Sequence, residues 1–176
     1  MSKSSFENRI IRAVKLDSNL YEEVEADKSA LGQAMAIVVF SSIAAGIGLY
    51  KTGGFSGIIT GTMAALISWY VWAYLTYFIG TKLLPEPQTE ADLGELLRTI
   101  GFASSPGLFR VLYFIPGIGG LVYFISSLWM LVAMIIAVRQ ALDYNSTLRA
   151  IGVCVIGYVF QILILVLIFS IFIGKG

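Results

Sequence analysis

The sequence contains no histidine, a single cysteine and only 23 charged side chains among 176 residues. With no histidine, and with Cys154 alone, the chain has neither the ligand set of a zinc site nor the base of a serine- or cysteine-type hydrolase. Cys154 has no partner for an internal disulfide. Charged residues make up 13% of the chain, against about 25% in soluble domains, which excludes an ordinary water-soluble fold. The formal net charge is +1 and no long run of one sign occurs, so nucleic acid is not expected as a partner. No apolar core precedes Lys28; the opening segment does not read as a cleaved secretory signal and is expected to persist. Neither a metal nor an organic cofactor is expected from this inventory, and no enzymatic activity.

What the chain has instead is long neutral runs. The charges cluster, 11 of them between Met1 and Lys28 and six between Lys82 and Arg98. Four stretches carry none: 22 residues from Ser29 to Tyr50, 30 from Thr52 to Thr81, 28 from Val111 to Val138 and 25 from Ala150 to Gly174. Each can cross a bilayer, because roughly 20 residues at about 1.5 Å rise cover the ~30 Å hydrocarbon core. Runs such as Gln161 to Phe169 are apolar on every face rather than alternating, which excludes a closed barrel and leaves helices as the spanning structure. The sequence predicts an all-α polytopic membrane protein whose obligatory partners are membrane lipids.

Residues 1–28 read as an amphipathic arm, with Phe6, Ile10, Ala13 and Val14 on one helical face and Glu7, Arg9, Arg12 and Lys15 beside it. The basic residues suit anionic headgroups, whereas the acidic run from Tyr21 to Asp27 works against them and favours a protein contact. The single membrane domain is placed at 29–174, its first helix at 29–50 and its second at 55–84. Gly53, Gly57, Gly61 and Ala65 are spaced four apart and share one face. Such a strip lets a neighbouring helix approach closely, within the chain or from a second copy. The aromatic cluster from Trp69 to Phe78 continues this helix, with some members expected at the headgroup belt. Pro85-Glu86-Pro87 makes a turn, and Thr89 with Asp92 three residues on has the spacing of a capping box, Asp standing in for Glu.

The third span, 98–115, is irregular. Only 11 neutral residues separate Arg98 from Arg110, about 16 Å of helix, so either Arg110 reaches outward to the interface or the segment is re-entrant. Ser105 and Pro106 suit the N-cap and first position of a new helix, and proline breaks the backbone ladder, so a kinked or broken helix is expected. After the Pro116–Gly120 turn a fourth helix covers 121–142, with Arg139 and Asp143 one turn apart at its end. A fifth covers 147–173, capped by Asn145 or Ser146.

With an inside N-terminus and five spans, nine of the twelve lysines and arginines lie inside, and Lys51, Arg110 and Lys175 outside, as the positive-inside rule requires. A re-entrant third segment leaves the same nine against three. The rule therefore places the N-terminus in the cytoplasm without choosing between four spans and five. No acidic residue lies within any span, which argues against a proton-coupled pump. Arg110, Ser104, Ser105, Pro106 and Gln161, with Arg139 and Asp143 at a helix end, are the candidate contacts for lipid or a partner. Arg110 can meet a lipid phosphate. The neutral hydroxyls and amide can line a polar path or serve as interhelical hydrogen bonds.

Several segments together resemble the prokaryotic members of the Yip1 family. They are Leu20-Tyr21-Glu22-Glu23-Val24-Glu25-Ala26-Asp27 with Gly32-Gln33-Ala34, Gly101-Phe102-Ala103-Ser104-Ser105-Pro106-Gly107-Leu108 with Ile115-Pro116-Gly117-Ile118-Gly119, Trp129, and Ala137-Val138-Arg139-Gln140-Ala141-Leu142-Asp143-Tyr144 with Arg149-Ala150-Ile151. The resemblance covers nearly the whole chain. It implies a five-span fold in a prokaryotic cell membrane, with a cytoplasmic N-terminus and an extracytoplasmic C-terminus, and so favours five spans. Eukaryotic members associate with prenylated Rab GTPases and carry an aspartate-leucine-tyrosine-glycine-proline motif before the first span. This chain lacks that motif, so a Rab-type GTPase is not expected as its partner.

The leading expectation is a non-enzymatic membrane scaffold or adaptor of the Yip1 type, acting on protein partners, on lipids or as a homo-oligomer. The alternatives are a lipid or small-solute conduit built around the broken third helix, and a membrane-curvature element that uses the arm as a wedge.

Overall fold

Apolar sequence in lipid must satisfy its own backbone groups, and the computed structural model, which describes residues 4–48 and 50–173, has helices and no strand among those residues. α1 (Phe6–Val14) is capped by Ser5, whose hydroxyl accepts from the Asn8 N–H at 3.3 Å. α2 (Ser18–Ala26) is capped by Asp17, which accepts from the Asn19 N–H at 3.0 Å. A 3-10 turn, Lys28–Ala30, leads into α3 (Leu31–Gly48). α4 (Tyr50–Phe78) is interrupted at Gly54, where φ is 59° and ψ −163°, a conformation that a residue with a Cβ rarely adopts. A π-helical turn, Ile79–Leu83, ends it. α5 (Leu93–Ala103) passes into a 3-10 segment, Ser105–Phe114, and α6 (Gly119–Ala141) and α7 (Thr147–Ile173) complete the chain.

Among the described residues, four helical stretches are long and apolar enough to cross a membrane: Lys28–Ile47, Gly54–Leu83, Gly119–Ala141 and Thr147–Ile164. The protein is an integral membrane protein. α5 and the following 3-10 segment form a compound rod. A 3-10 helix rises about 2.0 Å per residue against about 1.5 Å in an α-helix, so the two pieces end to end reach roughly 36 Å. α3 packs against this rod along most of its length, and α6 packs on its other side.

The core is built from small residues. Ala34, Ala73, Ala103, Ala133, Ala137, Ala141 and Ala150 are fully buried, which lets helix backbones approach where apolar association gains little in lipid. Gly101 shows how close the backbones come: a Cβ there would lie 2.6 Å from the Ala34 Cβ. Large apolar side chains point the other way, among them Phe55, Ile59, Met63, Ile67, Tyr70, Tyr74 and Phe78 of α4. The aromatic cluster of α4 is thus divided by face. Trp69 and Trp72 turn inward, their indole N–H groups donating to the Leu97 carbonyl at 3.1 Å and the Met134 sulfur at 3.2 Å.

The arm is folded onto the membrane helices. Ala13, Leu20, Tyr21 and Val24 are fully buried, and Phe6 and Ile10 pack against the same core. Arg9, 1% exposed, donates to Glu23 at 3.0 Å, Asp27 at 2.9 Å and Gln33 of α3 at 2.8 Å. Arg12 bonds Asp17 at 2.7 Å and also Glu23, and the Arg12 hydrogen bond holds the Asp17 carboxyl below its ordinary range. Arg98, 5% exposed, donates from α5 to the carbonyls of Val24 at 2.9 Å and Glu25 at 3.1 Å. Those carbonyls belong to the last turn of α2, which has no helical partners for them.

One capping expectation is corrected. The capping box of α5 lies three residues later than the Thr89–Asp92 pairing: Asp92 is the N-cap, accepting from the Glu95 N–H at 2.8 Å, and Glu95 accepts from the Asp92 N–H at 2.7 Å. A carboxylate is the better acceptor for an exposed N–H, and Thr89 is occupied accepting from the Glu86 N–H at 2.9 Å. At the start of α7 the Asn145 and Ser146 N–H groups donate to Glu86, at 3.0 and 3.3 Å. The anion at this helix start thus comes from 59 residues away, where it complements the positive end of the helix.

One end of the bundle therefore gathers three separate segments. Glu22 of the arm accepts from Gln140 at 2.8 Å, and Gln88 donates to the Asp143 carbonyl at 2.9 Å. Arg149 donates to the Pro85 carbonyl at 2.6 Å. Tyr144 sets its hydroxyl between the carbonyls of Gly80, 2.9 Å, and Leu84, 2.7 Å, at the π-helical turn.

Candidate functional site

The break between α5 and the 3-10 segment shapes the site. Ser104 closes α5, and the Ser105 hydroxyl donates to the Phe102 carbonyl at 2.7 Å, which satisfies a group at the helix end. Pro106 sits in the first turn of the 3-10 segment, where its missing N–H costs nothing. Ser105, Pro106 and Gly107 are buried against α3 and α6. A ten-residue 3-10 run is unusual, since such helices seldom exceed three or four residues, and long ones mark functional or strained places.

Behind this break lies a cavity of about 530 Å³ between α3, α4, α5, α6 and α7. It is within the range of about 300–1,000 Å³ typical of ligand sites. Its wall brings together Ser104, Arg110 and Gln161 with the strip of Gly57, Gly61 and Ala65. The strip does not seat a helix of this chain. A Cβ built on Gly57 or Gly61 meets nothing within 4 Å, because α4 leans on α3 through another face, where a Cβ on Gly46 would lie 3.0 Å from the Ile58 side chain. The surroundings of Gly53 lie outside the described residues. Ser105 and Pro106 are not among the lining residues; they hold the break.

Arg110 reaches the cavity along the 3-10 segment. Its guanidinium donates to the Ser127 hydroxyl at 2.9 Å and lies over the Tyr123 ring, 4.7 Å from its centre. The Nε–H is buried and has no acceptor. Trp129 and Phe109 stack nearby, ring centres 5.6 Å apart and nearly parallel, fixing the 3-10 segment against α6. The remaining wall is apolar and aromatic, with Trp69, Trp72, Met130 and Met134, interrupted by Ser41, Ser42 and Ser68.

Arg139 and Asp143 belong to the other end of α6, about 18 Å along the helix from Ser127. Arg139 donates to the carbonyls of Tyr144 at 3.1 Å and Asn145 at 3.2 Å and so closes the helix terminus. Asp143 takes a left-handed φ of 52° in the same turn, a conformation that Asp tolerates better than most. Burial and Glu90 push its carboxyl upward. With Glu22, Gln140 and Tyr144 these two line a small polar pocket of about 260 Å³. The structure thus divides the predicted site residues into a membrane cavity and a loop-end cluster.

Sequence reasoning had no means of finding Ser41 or the two inward tryptophans as members of the cavity, nor Tyr123 and Ser127 as the groups that hold Arg110. Tyr123 and Ser127 are four apart and so share a helical face, but nothing in their spacing says that Arg110 faces them. Among the described residues no three His, Cys, Asp or Glu side chains converge as metal ligands. What the cavity can do is hold an apolar body against a wall bearing one cation and a few neutral hydrogen-bonding groups.

In comparisons with known proteins, the family model described as the Yip1 domain matches residues 18–172. No curated protein and no solved structure is found to match the chain.

Proposed function

The chain belongs to the Yip1 domain family, and on that footing we propose that it is a non-enzymatic membrane protein that holds an amphiphile from the bilayer in the cavity beside its broken third helix. The observation that carries this reading is that Arg110, Ser104, Gln161 and the glycine strip line one space. A polar path of this kind, bounded by apolar and aromatic surface, suits a lipid better than a hydrophilic solute.

The reading includes five spans, a cytoplasmic N-terminus and an extracytoplasmic C-terminus in a cell membrane. The gathering of the arm, the Pro85 turn and the α6–α7 loop at one end supports it. A re-entrant third segment would send the α6–α7 loop to the opposite side. The compound rod's reach of roughly 36 Å also exceeds the ~30 Å core.

The test uses the full chain in vesicles containing a phospholipid with a photoreactive acyl chain. Adducts are expected on Met130 or Met134, and Gly57→Leu, which places a side chain in the cavity without striking a neighbour, should suppress them. Adducts confined to the outward faces, indifferent to Gly57→Leu, would sink the reading.

A scaffold or adaptor role has its own support in the docked arm, which gives a fixed face that a protein partner or a second copy can recognise. Crosslinking in native membranes followed by mass spectrometry tests it, and recovery of no reproducible partner, the chain itself included, counts against it. The curvature reading has less support, because the apolar face of α1 is turned toward the protein core.

A further inference from the structure

All eleven acidic side chains lie in three segments, residues 7–27, 86–95 and 143. Those are the segments that the fold gathers at the arm end. Between Arg98 and Arg110 the rod climbs about 20 Å, six residues of each helix type, so Arg110 lies toward the opposite end of the bundle. No Asp or Glu of the sequence is available to it there. The ion pairs found among the described residues engage Arg9, Arg12 and Arg149. Arg110 has the Tyr123 ring, one serine hydroxyl and an unanswered Nε–H.

A guanidinium at membrane depth is costly unless an anion answers it. Here its orientation is fixed on two sides by Ser127 and Tyr123, and the residue lines a space large enough for a ligand. A guanidinium matches the oxygens of a phosphate in geometry and charge. In a bilayer the phosphate nearest to hand is that of a phospholipid. We infer that Arg110 is the headgroup contact of the cavity, recognising the phosphate of an anionic phospholipid drawn from the leaflet opposite the arm, while the acyl chain lies along Trp69, Trp72 and the glycine strip. Ser127 and Tyr123 are positioning residues that aim the guanidinium. This inference rests on the cavity reading and adds to it the chemistry of the headgroup and the leaflet.

The test uses the full chain in maltoside micelles, which bring no phosphate of their own, and reads retained ligand by native mass spectrometry. Three probes are compared: phosphatidylglycerol, a diacylglycerol with the same chains, and inorganic phosphate as competitor. Phosphatidylglycerol should be retained on the order of tenfold better than diacylglycerol, the effect of a charge-assisted contact. Arg110→Gln should remove that preference, and Arg110→Lys should keep part of it. Ser127→Ala should weaken the preference without abolishing it. Unaltered inward adducts of the photoreactive acyl chain in Arg110→Gln would show that this variant still folds and still fills the cavity.

Displacement by inorganic phosphate at millimolar concentration would assign the same phosphate recognition to a soluble anion and overturn the lipid source. Equal retention of phosphatidylglycerol and diacylglycerol, or a preference untouched by Arg110→Gln, would overturn the inference while the acyl-chain adducts left the cavity reading standing. Loss of those adducts in the unaltered chain would overturn both.

Discussion

Arg9→Ala is expected to release the arm and leave the membrane helices folded. The Arg9 side chain is 2% exposed and is held by Glu23, Asp27 and Gln33 at 2.8–3.0 Å. Deleting one partner of a buried ion pair costs about 3–5 kcal/mol, most of it the penalty of the charges left behind. Two features put this site at the low end: Glu23 is 29% exposed and retains Arg12, and Asp27 keeps its hydrogen bonds from Ser29. A loss of about 3 kcal/mol raises the undocked population roughly a hundredfold, because 1.4 kcal/mol is tenfold. Amide hydrogen exchange of the full chain in micelles or nanodiscs reads this directly, since protection tracks the free energy of local opening. Amides of α2 should exchange about a hundredfold faster, and those of α6 should not change. Arg9→Lys, which keeps the charge but loses the planar fork, should fall between. Unchanged protection of α2 would refute the idea that this ion cluster holds the arm. Equal acceleration in α6 would refute the idea that the arm opens as a unit of its own.

Docking of the arm should also weaken with rising pH. Burial, and then repulsion from Glu95, Asp143 and Glu22, pushes the Glu25 carboxyl up to about 7. A raised value means that the protonated form is the one favoured by docking, so this contribution is complete below the ordinary carboxylate range and is lost as pH rises through about 7. Protection of α2, corrected for intrinsic exchange, should therefore fall over that window, and Glu25→Gln should flatten the profile; a sloped profile in the variant would assign the effect elsewhere. Gly101→Val should lower thermal stability by about 1–3 kcal/mol through overpacking on Ala34, and an unchanged melting temperature would show that the two helices can separate there. Tyr144→Phe should cost about 1 kcal/mol, the net value of one hydroxyl hydrogen bond at the π-helical turn, read as a shift in the same unfolding transition.

Much of the architecture is legible because the bilayer leaves few choices. Runs such as Thr52 to Thr81 are too long and too apolar to be anything but helices, and they are helices. The compound rod is harder, because counting neutral residues between Arg98 and Arg110 assumes one rise per residue. The 3-10 segment breaks that assumption, and Arg98 is buried among α2 carbonyls rather than marking a membrane surface. The capping box of α5 failed for a related reason: Thr89 is engaged by the Glu86 N–H, and spacing alone does not show that. At the start of α7 a carboxylate 59 residues away bonds the loop, and only the folded chain brings it there. The glycine strip is legible as a face of α4, but its spacing says nothing of whether a helix or a space lies opposite. Arg110 stands out from sequence by its isolation, whereas the Tyr123 and Ser127 pair that orients it depends on how α6 turns in the bundle.

In the five-span reading, the 3-10 segment Ser105–Phe114 bears on the length of the third crossing. Its ten residues wound as an α-helix would be about 5 Å shorter, a distance comparable with the difference in hydrocarbon thickness between thin and thick biological membranes. Rewinding of this segment would also move Arg110 relative to Tyr123 and Ser127. A third crossing built this way would tie the position of Arg110 on the cavity wall to the thickness of the bilayer around it.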